Sequence, residues 1–160
     1  MAVDYFLKID NIPGESMDKT HKGEIEIESW SWGATQTGTA SRGGGLGAGK
    51  VEMSDFSLVK NVDKASPSLM LACAQGDHIK SASLVCRKAG KEQQEYLKIT
   101  FSDLMVSSFH TDGSSGSPLP SEQVSLNFSK VEYEYKEQKA DGSLGGAIKK
   151  FYDLTSRGGG

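Results

Sequence analysis

Several residues in this chain have the type and spacing to do chemistry. Gly44 to Lys50 reads GGLGAGK, nearly the phosphate-binding loop G-x-x-x-x-G-K-[ST]. Val51 stands where a hydroxyl must meet magnesium, and a strand-like segment follows where that loop needs a helix N-terminus aimed at the phosphates. Gly43, Gly45 and Ala48 match the dinucleotide-binding G-x-G-x-x-A by letter only. His21, His78 and His110 are scattered singly, and neither Cys73 nor Cys86 has a second thiol or histidine at ligand spacing, so no zinc site assembles. In a reducing compartment both cysteines read as small buried apolar side chains. The serines of GSSGS (113–117) lack the strand-to-helix elbow of a hydrolase nucleophile and read as a flexible tip. Glu24, Glu26 and Glu28, like Glu132 and Glu134, recur at period two, the mark of a solvated strand face rather than an acid–base pair. The sequence therefore predicts no catalytic residues, no cofactor and no metal, and an enzyme is the third choice after a structural protein and a binding protein.

The elements that carry these residues are mostly strands. The chain has 160 residues, 36% hydrophobic and 24% charged, with 19 glycines, which suits one globular domain with long polar loops. A net charge of −3 without a dense Lys/Arg block argues against nucleic acid, since phosphate neutralisation needs clustered cations. No segment approaches the roughly 20 apolar residues that cross a bilayer, so no membrane insertion is expected. The start, MAVDYFLKIDNIPG, reads as a strand and turn instead of a secretory signal, and the protein is expected to be cytoplasmic when made.

Strand signals cover 3–9, 24–36, 51–60, 79–87, 95–106, 122–136 and 148–154. The one clear helix is 67–75, with Ser66 as N-cap, Pro67 at the first helical position and Gly76 just past the end. Leu69 to Ala74 are consecutively apolar, so almost the whole circumference of that helix needs cover, and one packed face cannot supply it. The glycine-dominated segment 37–50 is long for a structureless connection, a length that usually serves binding or stays disordered. The C-terminal Arg157-Gly-Gly-Gly reads as a frayed tail, flexible over 155–160.

Four strands change step. Ile25 and Ile27 give way to Trp30 and Trp32; Val51 and Met53 to Phe56 and Leu58; Leu97, Ile99 and Phe101 to Leu104 and Val106; Val124, Leu126 and Phe128 to Val131, Tyr133 and Tyr135. One account is a β-bulge that keeps the apolar residues on one face of a bent strand; the other is a regular strand whose apolar residues another subunit covers. On the bulge account Trp30 and Trp32 lie inside, and Ser29, Ser31, Gly33 and Thr35 share a small, uncharged outer face.

Several blocks occur in an order that resembles the Hcp (haemolysin-coregulated protein) tube family of the bacterial type VI secretion system. They are ESMDKTHKGEIEIESWSWG (15–33), GAGK (47–50), DKASPSLMLACAQGDH (63–78), RKAG (87–90), EYLKI (95–99), VSLNF (124–128) and QKADGS (138–143). The resemblance spans nearly the whole chain. It implies a mostly β fold, a small β-barrel of two packed antiparallel sheets with one flanking helix, similar to phage tail-tube proteins. It further implies a homohexamer whose stacked rings form a hollow secreted tube, with contractile sheath and spike proteins and secreted effectors as partners.

Placed on that plan, Ser29, Ser31, Gly33 and Thr35 are expected to face the lumen and its effectors. In the loop 37–50, Thr39, Arg42, Gly43, Gly44, Gly45, Leu46, Gly47 and Lys50 are expected to take part in ring stacking. Leu69, Met70, Leu71 and Cys73 are expected at the subunit interface. The competing reading is a monomeric β-barrel that binds a small ligand inside.

Overall fold

Period-two alternation produces strands along more than half of the computed structural model, which describes residues 3–38, 50–88 and 94–160. In chain order these are β1 (Val3–Ile9), β2 (Ile25–Ile27), β3 (Ser29–Ser31), β4 (Ala34–Gln36), β5 (Val51–Met53), β6 (Phe56–Asn61), the helix α1 (Ser66–Gln75), β7 (Ile79–Lys88), β8 (Gln94–Asp112), β9 (Ser121–Gln138), β10 (Leu144–Asp153) and β11 (Gly158–Gly159). Every strand pair is antiparallel, and the main sheet runs β11-β10-β9-β8-β7-β1-β2. The long strand β9 changes partner along one edge: residues 130–138 pair with β10, and 121–126 pair with β6, which carries β3 on its far side. Strands β4 and β5 form a separate two-stranded ladder.

The expected architecture, mostly β with one flanking helix, is what the chain adopts, but the barrel is open. No ladder joins β2 to β6; the chain itself bridges the gap at Glu28, whose N–H donates to the Val59 carbonyl (2.8 Å). Inside the curve lie Phe56, Phe101, Leu126 and Ile99, all 0% exposed. Their aromatic rings touch in sequence, Phe56 to Phe101 at 4.8 Å between centroids and Phe101 to Phe128 at 4.7 Å. Full burial of such a side chain stabilises by about 2–3 kcal/mol. Fully buried side chains occupy the interior where the competing reading places a small ligand.

The four changes of step do keep most of the apolar residues on the core side, with Tyr133 and Tyr135 left exposed, but a bulge is not the reason. In the first two cases the strand stops and restarts: Glu28 separates β2, which pairs with β1, from β3, which pairs with β6, and Ser54-Asp55 separates β5 from β6. In the other two the strands bend together. Phe101 faces Val131, Ser102 faces Lys130, Leu104 faces Phe128 and Met105 faces Asn127, so the register is unbroken across Asp103. A bulge would set two residues against one; here both strands carry the extra residue at the same level. Asp103 accommodates the bend at φ 50°, left-handed backbone that Asp tolerates better than most residues. The register of β8 against β9 does shift once, further on, between Val106 and Ser108.

The helix also differs in detail. Ser66 lies inside it and Ala65 occupies the N-cap without a side-chain bond, while Gly76 ends it at φ 64° as expected. Leu69, 1% exposed, and Ala72, 5% exposed, pack on the chain's own core. Leu69 is therefore not available to a neighbouring subunit, which corrects its assignment to an interface. The C-terminal tail does not fray: Arg157 turns at φ 57°, and Gly158–Gly159 returns along Tyr152 and Asp153. A Cβ at Gly159 would collide with the Phe151 carbonyl, so glycine at that position is what permits the closing pair.

Candidate functional site

Glu28 ends one ladder and opens the next, so the residues after it take a new orientation. Trp30 and Trp32 pack half-buried on the core cluster, Trp32 edge-on to Phe101 (6.2 Å) and Phe128 (6.1 Å). Ser29 and Ser31 are exposed on the opposite side. Strand registry extends that face across four adjacent strands. Ser31 faces Ser57 on β6, Ser57 faces Ser125 on β9, and Ser125 faces Ser108 on β8, with the last two hydroxyls hydrogen-bonded to each other. The next row reads Ser29, Val59, Gln123 and His110. Except for His110, these residues line a shallow groove of about 350 Å³ with no Lys, Arg, Asp or Glu in its wall. At one margin Asp55 accepts from Ser107 (2.6 Å) and Asn127 (2.8 Å).

The structure brings Ser29 and Ser31 together but separates them from the other two residues expected beside them. Gly33 is joined to Ser54, whose hydroxyl accepts its N–H at 2.8 Å, and Thr35 lies opposite Glu52 on the β4–β5 ladder. Ser57, Ser108, Gln123 and Ser125 were missed. Each is a polar member of an alternating run, visible as such, but only the registry puts them in one row.

A second surface fits, for Tyr133 and Tyr135, the account in which apolar strand residues are left for another subunit to cover, and Ile148 joins them. Tyr135 sits between Leu97 on β8 and Ile148 on β10, and Tyr133 between Ile99 and Lys150. Tyr133, Tyr135 and Ile148 are 42, 44 and 63% exposed. Met70 and Leu71 on α1, each 49% exposed, make a separate apolar patch, and Cys73 is half-buried against the core. Glu132 and Glu134 do line a solvated strand face, with Lys149 at 3.9 and 3.6 Å.

Of the loop residues expected to take part in stacking, Lys50 alone is described: its N–H donates to the Thr37 hydroxyl at 3.1 Å. Thr39, Arg42, Gly43, Gly44, Gly45, Leu46 and Gly47 lie outside the described residues. Strand β5 follows at Val51, and with no helix there the near-match to a phosphate-binding loop lacks its essential dipole.

Three buried polar clusters escaped the sequence reading. Lys60, 0% exposed, holds Glu122 (2.6 Å), Asp63 (2.8 Å) and the Ser66 hydroxyl (3.1 Å). Arg87 forks onto both oxygens of Asp18 (2.8 and 2.9 Å) and reaches Asp4 (3.0 Å), with its guanidinium 4.8 Å from the Phe6 ring centre. Those hydrogen bonds hold the Asp18 carboxyl well below the ordinary carboxylate range and push Arg87 up. His21 stacks on Phe6 at 4.5 Å, between Glu24 (3.0 Å) and Glu95 (3.3 Å). Each cluster joins elements distant in sequence and none opens into the serine face. Burial pushes the Cys86 thiol up to about 12, which makes it an inert core side chain. Among the described residues no group of three or more His, Cys, Asp and Glu could hold a metal ion, and no helix is long and apolar enough to cross a membrane.

Comparison with known proteins gives a consistent picture. Residues 6–135 match the profile of a family described as type VI secretion system effector, Hcp. The protein hcp1 of Pseudomonas aeruginosa is 50% identical over 151 residues, 93% of each chain. Among solved structures, Hcp1 from Salmonella typhimurium is 44% identical with a TM-score of 0.84 over 99% of both chains. A type six secretion system protein is 30% identical with a TM-score of 0.94 over 99% of this chain and 100% of the other.

Proposed function

Because the chain belongs to the Hcp family of type VI secretion proteins, we propose that it acts mechanically, as a secretion-tube subunit whose copies close into a hexameric ring and stack into a hollow conduit, with the serine face turned to the lumen. The observation that carries this reading is the hydroxyl row Ser31–Ser57–Ser125–Ser108 across four strands. A sheet face exposed to bulk water ordinarily carries long charged side chains, as β9 and β10 do at Glu132, Glu134 and Lys149. A face of short uncharged side chains instead suits a passage that must hold cargo weakly and let it go. Six copies of one weak patch around a shared cavity offset the weakness of each contact. Effectors inside the tube, sheath proteins around it and a spike at its tip are the partners this role requires, and the protein leaves the cell with the tube.

A closed ring needs two different patches that meet head to tail. Two groups of the exposed apolar side chains fit that need, Met70 and Leu71 on α1 and Tyr133, Tyr135 and Ile148 on the sheet; Met17, Met105, Leu119 and Phe151 are exposed elsewhere. We assign these two as the mating surfaces, with Cys73 beside the first.

The test places a cysteine at Ser31 in a Cys73→Ser background and labels it with a bulky electron-dense maleimide. Negative-stain images are expected to show annular particles of about six times 17.2 kDa with the label inside the annulus. Label on the outer rim, or unlabelled protein that remains a lone particle, would refute the assignment.

A further inference from the structure

The segments 29–37 and 50–61 form one long arm. Ser31 faces Ser57, the Ser54 N–H donates to the Gly33 carbonyl, Ala34 faces Met53, and Thr37 donates to Lys50 at the tip. At the base of this arm, where Glu28 and Asn61 emerge, lies a groove of about 430 Å³ whose wall includes Glu15, Glu26, Glu28 and Asp63, with Met17 and Leu119 on it 83 and 48% exposed. Asp63 is paired with Lys60 (2.8 Å), but the three glutamates are poorly matched from within. Glu15 accepts, among the described residues, only the backbone N–H of Lys64 (3.2 Å) and Glu28 only the side-chain amide of Asn61 (3.0 Å). Among the described residues no Lys, Arg or His forms an ion pair with Glu15, Glu26 or Glu28.

We propose that this groove is the seat for residues 39–49 of a second copy in the neighbouring ring, an assignment that rests on the stacked-ring reading above. Two observations select this occupant. The first is complementarity. Residues 39–49, TASRGGGLGAG, contain one cation, Arg42, and one large apolar side chain, Leu46, among five glycines. The groove offers Glu15, Glu26 and Glu28 without an ion-pair partner among the described residues, beside exposed Met17 and Leu119, and glycine lets a backbone approach such a wall closely.

The second is reach. The ladder from Lys50 to Asn61 covers roughly 30 Å at the usual rise per strand residue. Arg42 is four residues beyond Gly38 and extends at most about 14 Å from it. However residues 39–49 are arranged, Arg42 cannot return to the base of its own arm, so a groove that takes it belongs to another copy. A tip on one end and a socket on the other is a heterologous contact that does not close on itself, and it propagates into a filament. It uses neither the helix patch nor the tyrosine patch, so rings and stacks are separable.

Charge reversal tests both halves of the contact. Arg42→Glu, Glu26→Lys and the combined variant are purified, ring formation is read by light scattering, and stacking is read by sedimentation and negative stain at high protein concentration. Rings are expected in all three. Each single reversal sets like charges together in every copy around the ring and should lower the sedimented fraction about tenfold or more, with recovery in the combined variant. Glu26→Lys rings that stack like the parent would overturn the groove assignment alone, as would a combined variant no better than Arg42→Glu. That second outcome would mean Arg42 meets a different surface or a different partner. A parent protein that never forms or stacks rings would overturn the underlying reading and this seat with it.

Discussion

Lys60 is the residue whose placement departs furthest from what its chemistry suggests. A lysine is almost never fully buried unless paired, and this one is buried because three oxygens from three places converge on it: Glu122 on β9, Asp63 in the turn before α1, and Ser66 in the helix's first turn. Glu122 also accepts from the Ser66 hydroxyl at 2.6 Å, so the cluster ties the start of α1 to two strands. Buried ion pairs add little net stability over an apolar pair of the same shape, yet removing one partner strands the other charge. Lys60→Met is accordingly expected to cost about 3–5 kcal/mol in urea denaturation, and the Lys60→Met/Glu122→Leu pair to recover most of it. Equal losses in the two variants would mean the cluster is a stronger net stabiliser than such pairs ordinarily are. None of this was legible in the sequence. In the alternating run from Phe56 to Asn61, Lys60 occupies a core-side position, and one polar residue in such a run gives no sign of its partner Glu122, 62 residues away.

At the scale of the elements, the sequence revealed that four strands change step and on which side the aromatics end, because period two is a local property. It could not reveal how, since a bulge, a break and a paired bend leave the same alternation and differ only in registry with a partner strand. The bend at Asp103 makes this testable. Its φ of 50° is open to Asp and easy for Gly but strained for a β-branched residue. Asp103→Gly should therefore hold stability within about 0.5 kcal/mol, whereas Asp103→Val should lose about 1–2 kcal/mol. The exposed Asp103–His78 contact, lost in both, contributes little. Thermal denaturation of the pair checks it: similar losses in both variants would point to the carboxylate rather than the backbone. The tail carries a related lesson. Arg157-Gly-Gly-Gly looks like a disordered end by composition, and it forms β11 because a glycine at 159 is what the Phe151 carbonyl tolerates.

For the whole molecule, the apolar run Leu69 to Ala74 signalled an uncovered surface. What it could not signal is that Leu69 faces inward and that the complementary patch, Tyr133, Tyr135 and Ile148, sits on strands whose sequence alternates with glutamate and lysine. If helix and sheet patches meet head to tail, a variant damaged in either one has no intact self-contact. Met70→Glu/Leu71→Glu and Tyr135→Glu/Ile148→Glu should each elute as monomers near 17.2 kDa. A mixture behaves differently, because the helix variant keeps its sheet patch and the sheet variant keeps its helix patch. One sound interface can then form between them and no second one can follow, so the mixture should give heterodimers of about twice that mass and nothing larger. A contact made between two copies of the same patch predicts otherwise, since each variant would still self-associate through its undamaged patch. Light scattering of the two variants alone and mixed decides between these geometries. Monomers alone and dimers only on mixing is a result that a head-to-tail contact between these two patches produces and a symmetric one does not.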